Sequence, residues 1–518
     1  ISSAQPVNRS TAIKYVVLRY IIAAFLIVFF LFVFFFRLAE YPAPWFDEGS
    51  HLHVAKNFAL NGIYADYSSE RIRYFGPAVG VGPTILVPIA AAFRVFGVSI
   101  PLARIVIVVY GLLGLIAFGL LALRFLSRSA ALLSVIVLLL SPGIDYLYHS
   151  RTVLGEVPGL FFLLLGLWIW TKPGTRTLIE QVAVGMLMGL ACVTKNQYAV
   201  SILPAIFLAW IADLVWYRQR GWRDFVVPGG VAGLMFGIWT YIVLIALGES
   251  GVISDNLANL RTASVGAFFM FDVALLQKAA NFLISGHVLG GLFIPAFLYG
   301  VVCGLKRDES GQRFGILMMF IISSTGLFVT SIGWSRYAFG ALVIATVPAV
   351  SLISDLIGGL HDLWLSLRRR IPIVDQGRTA RMVLVIGWLF IVILLPLYPR
   401  AIGILREGNG DVYAVGAYLE ATVTQDALIE TWEPELGIVT NHRYHYPPQV
   451  VLANAVAAEW FQAPPAHESY DFRDHGDPDY VVIGPFGKYT GIYPPERLLS
   501  YELIKSIGAY DVYQYRYR

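Results

Sequence analysis

Residues 15–49 of this chain read YVVLRYIIAAFLIVFFLFVFFFRLAEYPAPWFDEG. A long apolar segment, residues 15–36, is followed within a dozen residues by two adjacent carboxylates, Asp47 and Glu48. A charge held at the centre of a bilayer costs roughly 2.5 to 3.5 kcal/mol on insertion scales, so acids beside a membrane span usually lie just outside the hydrocarbon. Such acids are often functional, and we therefore expect this pair to mark a site at the membrane surface.

The composition excludes an ordinary soluble globule. Of 518 residues, 57% are hydrophobic and only 14% are charged, and the mean hydropathy is +0.67. These values predict a polytopic α-helical membrane protein. The net charge of +4 is small, and the basic residues lie between apolar segments, which argues against a nucleic-acid partner. Cys192 and Cys303 lie in apolar segments, where we expect them to pack as small hydrophobic residues.

The apolar segments predict about eleven membrane-spanning helices, since a crossing needs about 20 residues and fewer where polar residues mark its ends. They are residues 15–36, 101–123, 130–148, 157–171, 180–194, 198–217, 225–247, 288–305, 314–332, 338–358 and 382–399. The first is too long for a secretory signal, so we interpret it as a retained span. The stretch from Pro83 to Gly97 is shorter and contains Pro88 and Arg94, which favours an interfacial or re-entrant helix in the first outer loop.

The distribution of Lys and Arg predicts the orientation of these helices. A cytoplasmic N-terminus, with Arg9, Lys14 and Arg19, makes every inside loop basic. Those loops are residues 124–128, 172–176, 218–223, 306–313 and 368–381. The pattern therefore predicts a multi-pass protein of the cell membrane, inner or plasma, with its C-terminal region on the extracytoplasmic side.

The C-terminal region has a different composition from the rest. From about Asp411 the apolar fraction falls, and a helix-like segment at 412–422 alternates with strand-like segments at 427–431, 479–483 and 510–517. We predict a transmembrane domain over residues 1–400 and a small extracytoplasmic α/β domain over residues 401–518.

Seven charged or polar side chains from separate loops fall on the predicted outer face. They are Asp47, Glu48, Glu156, Lys195, His287, Arg336 and Tyr337. One explanation is that helix ends in any membrane protein carry interfacial charges and aromatic anchors, with Lys195 as a snorkelling lysine. The other is that these loops bring acids and cations together into one exterior site.

Four motifs in sequence order favour the second explanation. They are Trp45-Phe46-Asp47-Glu48-Gly49, Ser150-Arg151 followed by Glu156-Val157-Pro158, Thr194-Lys195-Asn196, and Ser335-Arg336-Tyr337. With this order and spacing the chain resembles the membrane-embedded C-type glycosyltransferases that use polyprenyl-phosphate sugar donors. That group includes the protein O-mannosyltransferases and the aminoarabinose lipid A transferases. Each motif is weak alone, and the set says little about which sugar is transferred.

The resemblance implies an activity and a role for each residue. Asp47 would be the base that takes the proton of an acceptor hydroxyl during an inverting displacement at the extracytoplasmic face. Glu48 and Glu156 would complete the catalytic group, while Lys195, Arg336, Tyr337 and Arg151 would bind substrate. The partners would be the lipid bilayer, the lipid-linked donor and an acceptor glycan, lipid or protein of the cell envelope.

A divalent metal, Zn, Mn or Mg, is a further expectation, with Glu48, Glu156 and His287 as ligands. His51 and His53 are two residues apart on a predicted helix and point to different faces, so at most one belongs to such a site.

Two alternatives to the enzyme remain open at this stage. A transporter of lipid-linked or small polar substrates usually has charged or broken helices near the membrane centre and often internal repeats, whereas here the acids gather at one face and no repeat is visible. A non-catalytic subunit of a larger membrane complex is the other. In the tail, residues 432–435 and 442–448 combine aromatic, acidic and histidine side chains, and either line an acceptor groove or pack as an ordinary loop.

Overall fold

The computed structural model describes residue 24 and residues 27–70, 72–74, 80–247, 269, 271–358, 376–406, 408–461 and 464–516. Several predictions fall outside these residues. They concern the basic N-terminus, the first part of the first span, most of the loop at 248–287 and most of the basic loop at 368–381.

The described chain is mainly helical, and the helices are labelled here in sequence order. They are α1 (27–35), α2 (Phe46–Asn61), α3 (Pro83–Phe96), α4 (Ile100–Ala122), α5 (Arg128–Leu140), α6 (Tyr146–His149), α7 (Glu156–Trp170), α8 (Leu178–Thr194), α9 (Asn196–Ala212), α10 (Arg223–Tyr241), α11 (Val273–Ile284), α12 (Phe293–Gly304), α13 (Glu309–Val329), α14 (Phe339–Leu356), α15 (Gln376–Leu389), α16 (Leu395–Arg406), α17 (Asp411–Thr422), α18 (Leu436–Val439), α19 (Gln449–Phe461) and α20 (Pro485–Thr490). Wider π-helical turns extend α9 and α10 and join α15 to α16.

Six of the described helices are long and apolar enough to cross a membrane, and seven more are shorter apolar helices. A polytopic helical architecture is thus present, while the number of eleven crossings stays a prediction. Polar residues start several of these helices where the sequence changes from loop to apolar segment. Before α8, for example, Thr177 and Glu180 form a reciprocal capping box, which satisfies two backbone N–H groups that the helix leaves free.

The third predicted span ends earlier than expected. Its helix stops at Leu140 instead of residue 148, because Pro142 disfavours helical geometry at Ser141, which has φ −64° and ψ 122°. The chain then turns through Asp145, whose φ is +50°, into the single-turn helix α6. This irregular turn lies on the predicted outer side and places polar side chains there.

The helix α3 occupies the stretch expected to be interfacial or re-entrant. Its 14 residues are shorter than the ~20 needed for a full crossing. Gly82 precedes it and approaches the carbonyl of Val193 so closely that a Cβ at residue 82 would lie 1.9 Å from that oxygen. Only glycine fits there, and the contact fixes the start of α3 beside the end of α8.

The tail contains a five-stranded mixed sheet. With β1 (Ala65–Tyr67) and β2 (Ile72–Tyr74) forming a hairpin after α2, the tail strands are β3 (Leu428–Thr431), β4 (Arg443–His445), β5 (Tyr480–Ile483), β6 (Tyr501–Ile507) and β7 (Tyr510–Tyr515). Their order is β4-β3-β5-β7-β6, parallel around β3 and antiparallel at β7. The sequence predicted β3, β5 and β7 and missed β4 and β6. The predicted boundary at residue 400 lies inside α16, and the division into two domains stays a prediction.

The sheet-containing tail packs directly on α2, the helix that carries the acidic pair. Lys56 of α2 donates hydrogen bonds to the Gly437 carbonyl at 2.6 Å and to the Asn441 side chain at 3.0 Å. The rings of Phe46 and Phe486 stack with centroids 3.8 Å apart. The first turn of α2 is therefore held between the membrane helices and the tail.

Candidate active site

Asp47 in the first turn of α2 pairs with Arg336, which lies on the short turn before α14. A guanidinium N–H of Arg336 donates to Asp47 Oδ2 at 2.7 Å. Both side chains are partly accessible, with 27% of Asp47 and 21% of Arg336 exposed. The guanidinium also lies 4.2 Å from the centre of the Trp334 ring, which supports it from the side. Two residues far apart in sequence thus form an ion pair that solvent and ligands can reach.

Glu156 and Lys195 form a second ion pair. Lys195 lies between α8 and α9 in an extended conformation, with φ −155° and ψ 129°, and this break directs its side chain toward the start of α7. A Cβ at residue 155 would be 2.7 Å from Lys195 Cδ, so Gly155 leaves the space that the lysine occupies. Glu156 is fully buried, and its Oε2 has no hydrogen-bond partner in the part of the chain that the structure describes.

The two ion pairs belong to one group. The charges of Glu156, Arg336 and Asp47 all act on Lys195, and those of Asp47 and Glu156 both act on Arg336. Two carboxylates and two cations sum to zero, so the group is neutral when all four are ionised. Four of the seven outer-face residues that the sequence singled out are therefore brought together by the fold.

Glu48 has a different environment from its neighbour Asp47. It forms a fully buried, bidentate ion pair with Arg104, with N–O distances of 2.8 and 2.6 Å. The backbone N–H of Val153 also donates to Glu48 Oε1 at 3.1 Å. Since successive helix residues point about 100° apart, Glu48 faces the protein interior while Asp47 faces the accessible side. Glu48 thereby fixes the rotation of α2.

Arg151 is also fully buried, and its guanidinium is bound by backbone carbonyls. It donates to the carbonyl of Phe36 at 2.6 Å, to that of Tyr41 at 2.9 Å, and to that of Val33. These contacts tie the end of α1 to the loop before α7. Tyr337 is buried beside the group, where its ring stacks on Trp334 at 6.0 Å.

The two histidines of α2 point to different places, as their spacing predicts. His51 Nδ1 lies 2.7 Å from the carbonyl of Val153, and His53 Nδ1 lies 3.2 Å from Asp66. Burial lowers the pKa of both imidazoles.

The expected metal ligands do not assemble. In the part of the chain that the structure describes, no three His, Cys, Asp or Glu side chains form a group suited to a metal ion. Arg104 holds both carboxylate oxygens of Glu48, and Lys195 holds one oxygen of Glu156. His287 is exposed on the wall of a cavity. The residues present therefore do not fit the predicted three-ligand site.

Two cavities flank the Asp47–Arg336 pair. The first, the Asp47 cavity, has a volume of about 70 Å³ and lies between α2 and the tail. It is lined by Phe46, Asp47, Ser50, His51, His53, Asp66, Arg73, Trp432, Pro434, Tyr446, Pro447, Pro448 and Leu452. The tail segments 432–435 and 442–448 thus line a cavity next to Asp47, and its use as an acceptor groove stays a prediction.

The second, the His149 cavity, has a volume of about 330 Å³. It is lined by Pro142, Gly143, Ile144, Asp145, Tyr148, His149, Phe282, His287 and Ser335. Ser335 is the neighbour of Arg336, so this cavity reaches the ion-pair group from the other side. The sequence analysis did not single out His149 or Asp145. The signal available was the Ser141-Pro142 pair, which ends the helix before them.

In the tail, Glu433 and Glu435 are buried beside α2. A Cβ at Gly49 would lie 2.4 Å from the Glu435 backbone nitrogen, so the two backbones touch. Tyr510 donates to Glu435 Oε1 at 2.8 Å. Burial raises the pKa of Glu435 to about 7, and it raises the pKa of Glu433, with the nearby Glu435 adding to the increase.

No family model matches the chain, and no curated protein is similar to it in sequence. Solved structures are similar in fold. ArnT from Cupriavidus metallidurans in the apo state has a TM-score of 0.63 at 15% identity, over 97% of this chain and 98% of that protein. The same protein bound to undecaprenyl phosphate gives 0.62 at 14% identity, over 96% and 98%.

Archaeal oligosaccharyltransferases are also similar. AglB from Archaeoglobus fulgidus, in complex with an inhibitory peptide and a dolichol-phosphate, has a TM-score of 0.55 at 14% identity, over 88% of this chain and 68% of that protein. An oligosaccharyltransferase of that organism in complex with Zn and sulfate gives 0.51 at 13% identity, over 88% and 67%. The resemblance stated from the sequence motifs is thus confirmed at the level of the fold.

Proposed function

We propose that this chain transfers a sugar from a polyprenyl-phosphate donor to an acceptor hydroxyl, with Asp47 as the base. The observation that carries the proposal is the position of Asp47. Its carboxylate lines one cavity and pairs with Arg336, whose neighbour Ser335 lines the other cavity. The lipid phosphates bound by ArnT and AglB support the same class of donor.

The reaction needs one proton acceptor and a stabilised leaving group. The acceptor oxygen attacks the anomeric carbon, the bond from that carbon to the phosphate oxygen breaks, and the hydroxyl proton passes to Asp47. Attack from the side opposite the phosphate inverts the anomeric centre. The polyprenyl phosphate departs as an anion, so no strong general acid is required, and Arg336 and Lys195 stabilise its charge.

The neutral ion-pair group gives Arg336 a second role. Without a donor, Arg336 holds the Asp47 carboxylate at 2.7 Å. A donor phosphate competes for the same guanidinium and weakens its bond to Asp47. The carboxylate oxygen that Arg336 held is then free to accept the hydroxyl proton.

The other residues act through these four. We assign Glu156 to orienting Lys195, Glu48 to fixing α2 through Arg104, and Arg151 to holding the loop before α7. This assignment replaces the expectation that Glu48 ligates metal and that Arg151 binds substrate. Tyr337 stays in the substrate-binding group through its contact with Trp334, beside Arg336.

The proposal also includes the side of the membrane on which the site lies and the position of the tail. From the basic loops we propose that the ion-pair group and the tail lie on the extracytoplasmic face of the membrane. We propose that the tail covers the Asp47 cavity and that the acceptor enters between it and α2.

The test is transfer by the purified chain in proteoliposomes. Synthetic polyprenyl-phosphate hexoses and pentoses are supplied with a cell-envelope glycan and lipid extract, and release of free polyprenyl phosphate is measured by mass spectrometry. We expect Asp47→Asn to lower the rate by about a hundred-fold or more. Asp426→Asn, which changes an exposed tail acid in the same way, is the matched control and keeps the wild-type rate.

Three outcomes count against the proposal. Full activity of Asp47→Asn removes Asp47 as the base. Labelled lipid crossing the proteoliposome membrane without release of polyprenyl phosphate identifies a transporter. Purification in a stoichiometric complex, with transfer by that complex unchanged in Asp47→Asn, identifies a non-catalytic subunit.

A further inference from the structure

The His149 cavity is large enough for a ligand. Its volume of about 330 Å³ falls at the lower end of the ~300–1,000 Å³ range of small-molecule sites. The Asp47 cavity, at about 70 Å³, does not reach that range. Of the two spaces beside the ion-pair group, only the His149 cavity can enclose a whole sugar ring.

His149 lines this cavity. Its Nδ1 is buried and has no hydrogen-bond partner among the residues that the structure describes. A buried polar atom without a partner costs about 1–3 kcal/mol, so such atoms usually meet a ligand or a water. The ring is held in place, since it contacts Phe339 at a centroid distance of 4.9 Å and Tyr148 at 5.4 Å.

The charge and hydrogen-bonding groups of the cavity wall indicate which class of ligand fits. Burial lowers the pKa of His149, so the imidazole is neutral at pH 7 and offers one donor and one acceptor nitrogen. The wall also contains two hydroxyl residues, Tyr148 and Ser335, a second imidazole, His287, and the carboxylate of Asp145, and among the described residues it contains neither Lys nor Arg. Hydroxyls, imidazoles and a carboxylate beside aromatic rings suit a polyol better than an anion.

The cations lie just beyond this wall. Arg336 follows Ser335 directly, and the charges of both Arg336 and Lys195 act on His149. A ligand with a phosphate at the cations and an uncharged ring in the cavity matches this division. The phosphate would sit beside Arg336 and Lys195, and the ring in the cavity, whose described wall holds the carboxylate of Asp145 but no cation.

The cavity walls are also fixed to each other. The backbone N–H of Gly143 donates to the carbonyl of His287 at 2.9 Å, which joins the turn after α5 to the segment before α12. A Cβ at residue 143 would lie 2.8 Å from that oxygen, so only glycine allows the contact. The cavity therefore lies between two segments that are hydrogen-bonded to each other.

We infer that the His149 cavity holds the sugar ring of the lipid-linked donor and that His149 hydrogen-bonds a ring hydroxyl, so that this residue helps to select the sugar. The inference rests on the proposed function for the identity of the donor. It adds a substrate-binding residue outside the four motifs that defined the site.

The test measures binding, so that it does not depend on turnover. Bare polyprenyl phosphate and a panel of polyprenyl-phosphate hexoses, pentoses and their single-deoxy analogues are titrated into the purified protein, with the rise in thermal midpoint as readout. In the wild-type protein we expect at least one glycosylated lipid to bind about ten-fold tighter than the bare lipid. His149→Ala loses that preference and the discrimination against one deoxy analogue, while bare polyprenyl phosphate binds as before. His149→Asn, which retains hydrogen-bonding atoms, restores part of both.

Controls separate this inference from the proposed function. His467→Ala changes a histidine of the tail and leaves every affinity unchanged. If no glycosylated lipid binds tighter than the bare lipid, or if His149→Ala keeps the wild-type preference, the sugar site is overturned. Loss of bare-lipid binding in His149→Ala also overturns it, since the residue would then act on the phosphate or on folding. Transfer that depends on Asp47 together with any of these results leaves the proposed function standing.

Discussion

Arg336 donates a hydrogen bond to Asp47 at 2.7 Å, although the two residues are 289 positions apart in the chain. Arg336→Lys keeps the charge but loses the planar fork that can hold a carboxylate and a phosphate together. We expect polyprenyl phosphate to bind about ten-fold more weakly, as for the loss of one charge-assisted hydrogen bond. Titration of the bare lipid measures this, with Arg223→Lys, at the exposed start of α10, as the control. If Arg336→Lys binds the lipid as tightly as the wild-type protein does, the phosphate does not bind at Arg336.

The Glu48–Arg104 pair predicts a loss of stability. Both side chains are fully buried, so Glu48→Gln leaves Arg104 with an uncompensated charge and costs about 3–5 kcal/mol. The double variant Glu48→Gln with Arg104→Met removes that charge, and we expect it to recover part of the thermal midpoint. A Glu48→Gln protein that loses activity at wild-type stability would instead indicate that Glu48 contacts substrate.

Gly155→Ala tests the space beside Lys195. The added methyl group would lie 2.7 Å from Lys195 Cδ and must displace the lysine side chain. A displacement of about 1 Å at a catalytic centre can cost a hundred-fold in rate, and we expect kcat/KM to fall about ten- to a hundred-fold. Gly221→Ala is the matched control, because a Cβ there meets nothing within 4 Å. Equal loss in both variants would point to a general effect on folding.

Glu435 predicts how stability depends on pH. Its pKa is raised from 4.5 to about 7 in the folded protein, so between these values the folded state retains a proton that the unfolded state releases. Stability from this group is therefore fully present below pH 4.5 and decreases as pH rises to about 7. The loss is at most about 3 kcal/mol.

Glu435→Gln removes that decrease. We expect its thermal midpoint to exceed that of the wild-type protein above pH 7 and to approach it near pH 4.5. Thermal melts of both proteins from pH 4 to pH 9 measure the difference. Glu502→Gln, an exposed acid of β6, should show no such pH-dependent gain. If the thermal midpoints of Glu435→Gln and of the wild-type protein change with pH in the same way, Glu435 does not retain a proton in the folded state.

Much of the architecture was predictable from local sequence. Each described helix from α4 to α15 except α11 overlaps a predicted span, because the length of an apolar run is a local property. The helix α11 lies in the predicted outer loop 248–287 and was missed. The strands β3, β5 and β7 were also found. β4 has only three residues, and β6 reads YELIKSI, whose mixed polarity gives no clear alternation, so neither was recognisable.

The sequence by itself determined that the chain is a helical membrane protein and that acids and cations recur beside the spans in one order. It also singled out Asp47 and Glu48 as the acidic pair beside the first span. Only the tertiary structure decided which acid is accessible. Adjacent residues on a helix face different directions, and Arg104 buries Glu48 while Arg336 meets Asp47 at the cavity wall. Likewise, His149 became a candidate only when the turn after α5 met the segment before α12. Such pairings join side chains that are far apart in sequence, so the local composition of the chain does not predict them.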